Sequence, residues 1–156
     1  MSASSTARRI AATALAAGAI VSAVALPAAA HDHDDRRAPK VEISRVQADS
    51  PGRDNRSNRS LNAEWVELTN NTRHAINLKG WVLKDEDGHR YRFGDYRLNG
   101  RSTVRIHTGE GRDTRTDLYQ DRRNYVWDNH SDKATLKNDR GRTVDTETWG
   151  RHHHRR

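Results

Sequence analysis

Along the second part of the chain, apolar residues fall on alternate positions in short runs, and each run stops at a cluster of turn-forming residues. Val41, Ile43 and Val46 alternate with polar residues and predict a first strand with one buried face. Trp65, Val66 and Leu68 predict a second strand, partly covered on both faces and ended by Asn70-Asn71. Ile76 and Leu78 alternate, Gly80 interrupts, and Trp81 and Leu83 resume, which predicts a bulge or bend between two short strands. Asp85-Glu86-Asp87-Gly88 predicts a hairpin turn, because Gly88 can take a positive φ without a Cβ clash, and Tyr91 and Phe93 then fall on the returning strand. Leu98, the turn pair Asn99-Gly100 and the alternation Thr103-Val104-Arg105-Ile106-His107 repeat the grammar. Strand signals return at Tyr125-Val126-Trp127, at Ala134-Thr135-Leu136 and from Val144 to Trp149, with the turn Asn138-Asp139-Arg140-Gly141 between the last two. After Leu26 no apolar stripe at helical spacing is long enough for a helix, so the pattern predicts an all-β sandwich or barrel.

Two polar excursions interrupt this pattern. Asp49 to Ser60 combines Pro, Gly, Asn and Ser with charges and holds no apolar anchor, which predicts a mobile loop. Thr108 to Arg123 offers only Leu118 and Tyr119 as anchors and reads as a second long loop.

The N-terminus follows a different rule. Arg8 and Arg9 precede an Ala-rich apolar run from Ile10 to Leu26, followed by Pro27 and Ala28-Ala29-Ala30. That order predicts a signal peptide over residues 1–30, cleaved after Ala30, and a secreted product without stable membrane insertion. Ile10-Ala11-Ala12 lack the bulky apolar pair of twin-arginine signals, so the general secretory route is expected. Residues 31–40 then form a flexible polar leader, 41–150 a single domain and 151–156 a basic His/Arg tail. With 33% hydrophobic and 31% charged residues the core must be thin, a requirement that a two-layer sandwich meets because each strand needs only alternate apolar positions. The chain has no cysteine, so no disulfide supports it.

Four segments carry a family resemblance: Glu64-Trp65-Val66-Glu67-Leu68-Thr69-Asn70, Leu78-Lys79-Gly80-Trp81-Val82-Leu83-Lys84-Asp85, Val104-Arg105-Ile106-His107-Thr108-Gly109, and Val126-Trp127-Asp128-Asn129 running into Ala134-Thr135-Leu136. Their order and spacing, with the closing Asp139-Arg140-Gly141-Arg142-Thr143-Val144-Asp145, resemble the lamin tail domain (LTD), here a bacterial secreted member. The resemblance implies an immunoglobulin-like β-sandwich. It also implies a non-catalytic module of a kind often appended to exported hydrolases and nucleases, where it makes protein, surface or nucleic-acid contacts. Independently of the family, Trp81 and Trp127 are large enough to bridge two sheets about 10 Å apart and are expected as core anchors. Glu67, between Val66 and Leu68, is expected either to face solvent or to be held by backbone N–H groups and a neighbouring cation, in the structural role of pinning a loop.

Catalytic chemistry finds little footing. The chain has no cysteine and no Gly-x-Ser-x-Gly elbow, and His74, His89, His107 and His130 share no motif, so no enzyme activity, catalytic residue or cofactor is assigned. His31-Asp32-His33-Asp34-Asp35 and His152-His153-His154 can chelate a metal adventitiously, but flexible segments lack the fixed geometry of a specific site. Asp85–Gly88 lacks the alternating oxygen ligands of a calcium loop.

Charge narrows the choice of partner. The net charge is +7, yet residues 41–150 carry 20 basic and 18 acidic side chains, and the excess lies largely in the signal segment and the tail. Electrostatic contacts are therefore expected from the first long loop and the tail, through Arg53, Arg56, Arg59, Arg151, Arg155 and Arg156, and not from the sandwich as a whole. The expectation is a secreted binding module that contacts a protein or an anionic cell-surface polymer. The alternative is a nucleic-acid-binding accessory to an extracellular nuclease or other hydrolase.

Overall fold

Alternation becomes burial along the second strand: Val66, Leu68 and Asn70 are fully buried while the residues between them are half-buried. The structure, a computed structural model, describes residues 38–150. The predicted signal peptide, nearly all of the polar leader and the tail with Arg151, Arg155 and Arg156 lie outside the described residues.

The elements run β1 (Val41–Gln47), α1 (Asn58–Ala63), β2 (Trp65–Asn70), β3 (Ile76–Asn77), β4 (Val82–Lys84), β5 (Arg90–Arg92), β6 (Arg97–Leu98), β7 (Thr103–His107), β8 (Asp117–Tyr119), β9 (Ser131–Lys137) and β10 (Thr143–Gly150). They form a four-stranded sheet β1-β2-β7-β8, a second four-stranded sheet β10-β9-β4-β5 and the short pair β3-β6. Inward side chains of the first sheet (Val41, Ile43, Val66, Leu68, Val104, Ile106, Leu118) and of the second (Leu83, Ala134, Leu136) share one core with Leu78, Phe93, Leu98 and Trp127. The all-β expectation therefore holds, and the two sheets pack face to face as a sandwich. Where the outer strands of the two sheets meet, the β1 amide of Ile43 donates to Asp145 Oδ2 on β10 at 2.7 Å.

The predicted turns are in place. Asp85 to Gly88 joins β4 to β5, with Asp85 Oδ1 accepting from the N–H groups of Gly88 and His89, each at 2.7 Å. Gly80, at φ +78°, makes a tight turn in which Trp81 N–H donates to Leu78 O at 2.9 Å. The strands it separates belong to different sheets, so the bend carries the chain from the β3-β6 pair into the second sheet. Asn70 ends β2 and does more than stop it. Its amide nitrogen donates to the carbonyls of His74, Leu98 and Asn99, tying the β2–β3 turn to the β6–β7 turn beneath the surface.

Four expectations need correction. The Asp49–Ser60 loop is tied down: Ser57 caps α1 by accepting from Ser60 N–H, Ser50 Oγ donates to Ser60 O at 2.7 Å, and Leu61, one residue past the polar stretch, is buried. The second long loop contains β8, which pairs in parallel with β7 and buries Leu118. Tyr125-Val126-Trp127 is not a strand, because the Val126 N–H is taken by the Glu64 carboxylate at 2.9 Å and not by a neighbouring strand. Of the two expected tryptophan anchors, Trp127 is buried at 2% exposure, whereas Trp81 only packs against the edge of the core; Phe93 and the leucines fill the centre.

Candidate functional site

The outer face of the second sheet is built by the same alternation that builds the core. Leu83 points inward, so Val82 and Lys84 point out; Tyr91 packs inward, so Arg90 and Arg92 point out; Ala134 and Leu136 point inward, so Lys133 and Lys137 point out. Strand register sets these residues side by side. Arg92 and Lys137 flank Val82, and Arg90 lies opposite Lys84. On β10 the outward neighbours of Lys137 and Lys133 are Thr143 and Thr148, which carry no charge. The strands of this face thus present five cations and no acid.

Toward the end of this face where β4 begins and β9 ends is an open cleft of about 240 Å³ lined by Val82, Lys84, Arg90, Arg92, Lys137 and the turn residue Asp139. Among the described residues, Lys133 is the one cation of the five with a carboxylate within 4 Å, at 3.7 Å from Glu86 in the hairpin turn. Arg122 adds a sixth cation at the rim, where its Nη2 donates to Arg90 O at 2.9 Å. A second basic hollow, of about 540 Å³, lies by β6 and the start of β7, where Arg97 and Arg115 line it with Ser102 and Thr103.

The outer face of the first sheet is different in kind. Glu67 is held by Arg105 Nε at 3.0 Å and by the Ser44 hydroxyl, and the same guanidinium lies 4.3 Å over the Trp65 ring. Of the two partners expected for Glu67, the neighbouring cation is present, but a serine hydroxyl stands where backbone N–H groups were expected. His107 is fixed between Asn62 O at 2.7 Å and Asp117 Oδ1 at 2.9 Å and stacks on Tyr119. His89 and His130 pair with Asp85 and Asp128 respectively, so these three imidazoles are dispersed, each on its own carboxylate. Among the described residues no group of three His, Cys, Asp or Glu side chains is arranged to hold a metal ion.

Arg53, Arg56 and Arg59 are exposed, as a contact role requires. Arg56 adopts φ 56° and its N–H donates to the Tyr125 hydroxyl at 3.4 Å, while Arg59 lies on α1. Their surroundings are not basic. Asp49 and Asp54 share the loop, bridged by Asn129 Nδ2 at 3.2 and 3.3 Å, and the adjoining hollow is lined by Asp54, Asp87 and Asp128. None of the hollows described above brings these arginines together with the cations of the second sheet.

Glu64 is the residue that motif reading left without a role. It is fully buried, with Oε1 accepting from the Thr108 hydroxyl at 2.5 Å and from Val126 N–H, and with Oε2 unpartnered. Burial pushes its carboxyl up from an ordinary 4.5 to about 7, against the opposing pull of those hydrogen bonds. The carboxyl joins the end of α1, the end of β7 and the Tyr125–Trp127 segment, which makes it a structural pin.

The fold and this face define a small β-sandwich of the binding-module class, with its polar chemistry spread over a sheet surface. The chain belongs to the Lamin Tail Domain family, whose profile matches residues 35–151. No curated protein matches the chain.

Proposed function

We propose that this protein is an exported, non-catalytic binding module that holds an anionic cell-surface polymer against the outer face of the β10-β9-β4-β5 sheet. The observation that carries the reading is the segregation of charge: Lys84, Arg90, Arg92, Lys133 and Lys137 share one face to whose outward strand positions no acid contributes, since Asp132, Asp145 and Glu147 have the opposite parity. Spacing supports it, since neighbouring strands lie about 4.8 Å apart and outward residues recur about every 6.6 Å along each strand. That lattice of cations can follow a flexible chain of repeating phosphates or carboxylates. A flat sheet suits such a polymer better than duplex DNA, whose major groove admits a projecting helix or two-stranded ribbon. The one helix among the described residues is six residues long. Export rests on the Arg8-Arg9, Ile10–Leu26 and Ala28–Ala30 pattern.

The test is equilibrium binding of the purified protein, expressed from the full chain, to polyglycerol phosphate and to duplex DNA at about 0.15 M salt. The expected result is preference for polyglycerol phosphate. The pair K84E/R92E should weaken it by about tenfold or more, while R53Q/R56Q/R59Q leaves it within about twofold. Preference for DNA would move the function to the nucleic-acid alternative, and indifference to K84E/R92E would remove the sheet face from the account.

A further inference from the structure

At the seam between the outer strands β1 and β10 lies a cleft of about 370 Å³ that shares no residue with the basic face. Trp149 lines it, half-buried, and its indole is held in one orientation by two contacts. Nε1–H donates to Asp128 O at 2.8 Å, and the ring meets the buried Trp127 edge-on, 5.8 Å between centroids at 61°. Around it stand Arg45 and Gln47 from β1, Asp49 just beyond, Glu147 on β10 and Asn129. Several of these polar groups are already positioned. The Asn129 amide donates to Asp49 and Asp54, and the Gln47 amide donates to the Asp49 carbonyl.

A fixed aromatic plane bordered by carboxylates, amides and a guanidinium is the chemistry a sugar ring requires. The C–H face of a pyranose is apolar and packs on an aromatic surface, whereas its hydroxyls each need a donor and an acceptor in the plane of the ring. Asp49 and Glu147 supply acceptors, and Arg45 and Gln47 supply donors. A cleft of this volume falls at the lower end of small-ligand sites, which begin at roughly 300 Å³. Charge narrows the choice further. Two carboxylates against one guanidinium disfavour an acidic sugar, the opposite selectivity from that of the basic sheet face.

We infer that this seam binds a neutral pyranose unit of a polysaccharide, with Trp149 as the stacking platform and Asp49 and Glu147 as hydroxyl acceptors. The site uses different side chains from the polyanion face and different physics, since stacking and short-range hydrogen bonds to an uncharged ligand survive salt that screens attraction between net charges. The two proposals can therefore fail separately.

The test is calorimetric titration of the protein, expressed from the full chain, with cellohexaose, mannohexaose and chitohexaose, and with oligogalacturonate as the acidic comparison, in about 0.5 M salt. At least one neutral hexaose should bind, and oligogalacturonate should not. W149A should abolish binding. Because Trp149 also packs on Trp127, the exposed-residue variants E147Q and D49N, which spare the core, should each weaken binding by about tenfold, and K84E/R92E should leave it unchanged. Absence of binding to all three neutral probes up to about 10 mM, tighter binding of oligogalacturonate, or affinity indifferent to both E147Q and D49N would overturn the inference.

Discussion

Glu64 and Glu67 sit three positions apart and end in opposite environments. Glu67 has the outward parity of β2 and finds Arg105; Glu64 has the parity of Val66, Leu68 and Asn70 and is carried inside with them. The period-2 rule that makes Val66 and Leu68 core residues therefore contained the signal for Glu64 as well. What sequence could not supply was its partners, because Thr108 and Val126 arrive from 44 and 62 positions away. A consequence for stability follows. The folded pKa, about 7, stands above the ordinary 4.5, so the fold prefers the neutral acid. Its stabilising contribution is full below about pH 4.5, declines as pH rises through about 7, and is gone above that, with a total of about 3 kcal/mol. Thermal unfolding measured from pH 5 to pH 8 should show this decline in the wild type. E64Q, neutral throughout and still able to accept at its amide oxygen, should lose it; an identical decline in both proteins would refute the assignment.

At the scale of elements, strands with strong alternation and a nearby turn were legible, and those depending on distant partners were not. β4, β5, β9 and β10 follow from their residues, because a hairpin brings each pair together locally. β8 does not, since its three residues gain strand geometry from β7 across a parallel connection. The α1 helix was hidden by its own composition. Its buried anchor Leu61 falls just after a run of residues that favour turns, and only Ser57 marks its start. S57A should therefore lower stability by about 1 kcal/mol through loss of the cap. L118A should cost about 2–5 kcal/mol, because it empties a core position supplied by β8. Urea denaturation of the two variants measures both. A cost for L118A below that of S57A would mean that β8 is not part of the cooperative core.

For the whole molecule, net charge was a poor guide to surface charge. Residues 41–150 are nearly balanced, yet the outward positions of β4, β5 and β9 are all basic apart from Val82, Thr135 and the terminal Ser131. The individual lysines and arginines could be read from the sequence, but not the pairing of β4 with β9, which are about fifty residues apart and place their cations on one surface. A surface of this kind predicts a steep ionic-strength dependence in polyanion binding. With four or five contacts, the logarithm of affinity should fall against the logarithm of salt with a slope of about −3 to −4. The slope should shrink by about 2 in K84E/R92E, and a flat salt profile would mean that charge is not what holds the polymer.

The Ile43–Asp145 bond bears on self-association. β1 and β10 are the outer strands of their sheets, and a free row of backbone donors on an outer strand is a template on which a second copy can add its own strand. By occupying the Ile43 amide, the Asp145 carboxylate removes a donor from that row and places a negative charge beside it. D145A should thus leave the isolated fold largely intact while raising the tendency to dimerise or aggregate at high concentration, measurable by light scattering. A protein crowded onto a polymer, many copies to a strand, would stay a row of separate modules partly because of that one side chain.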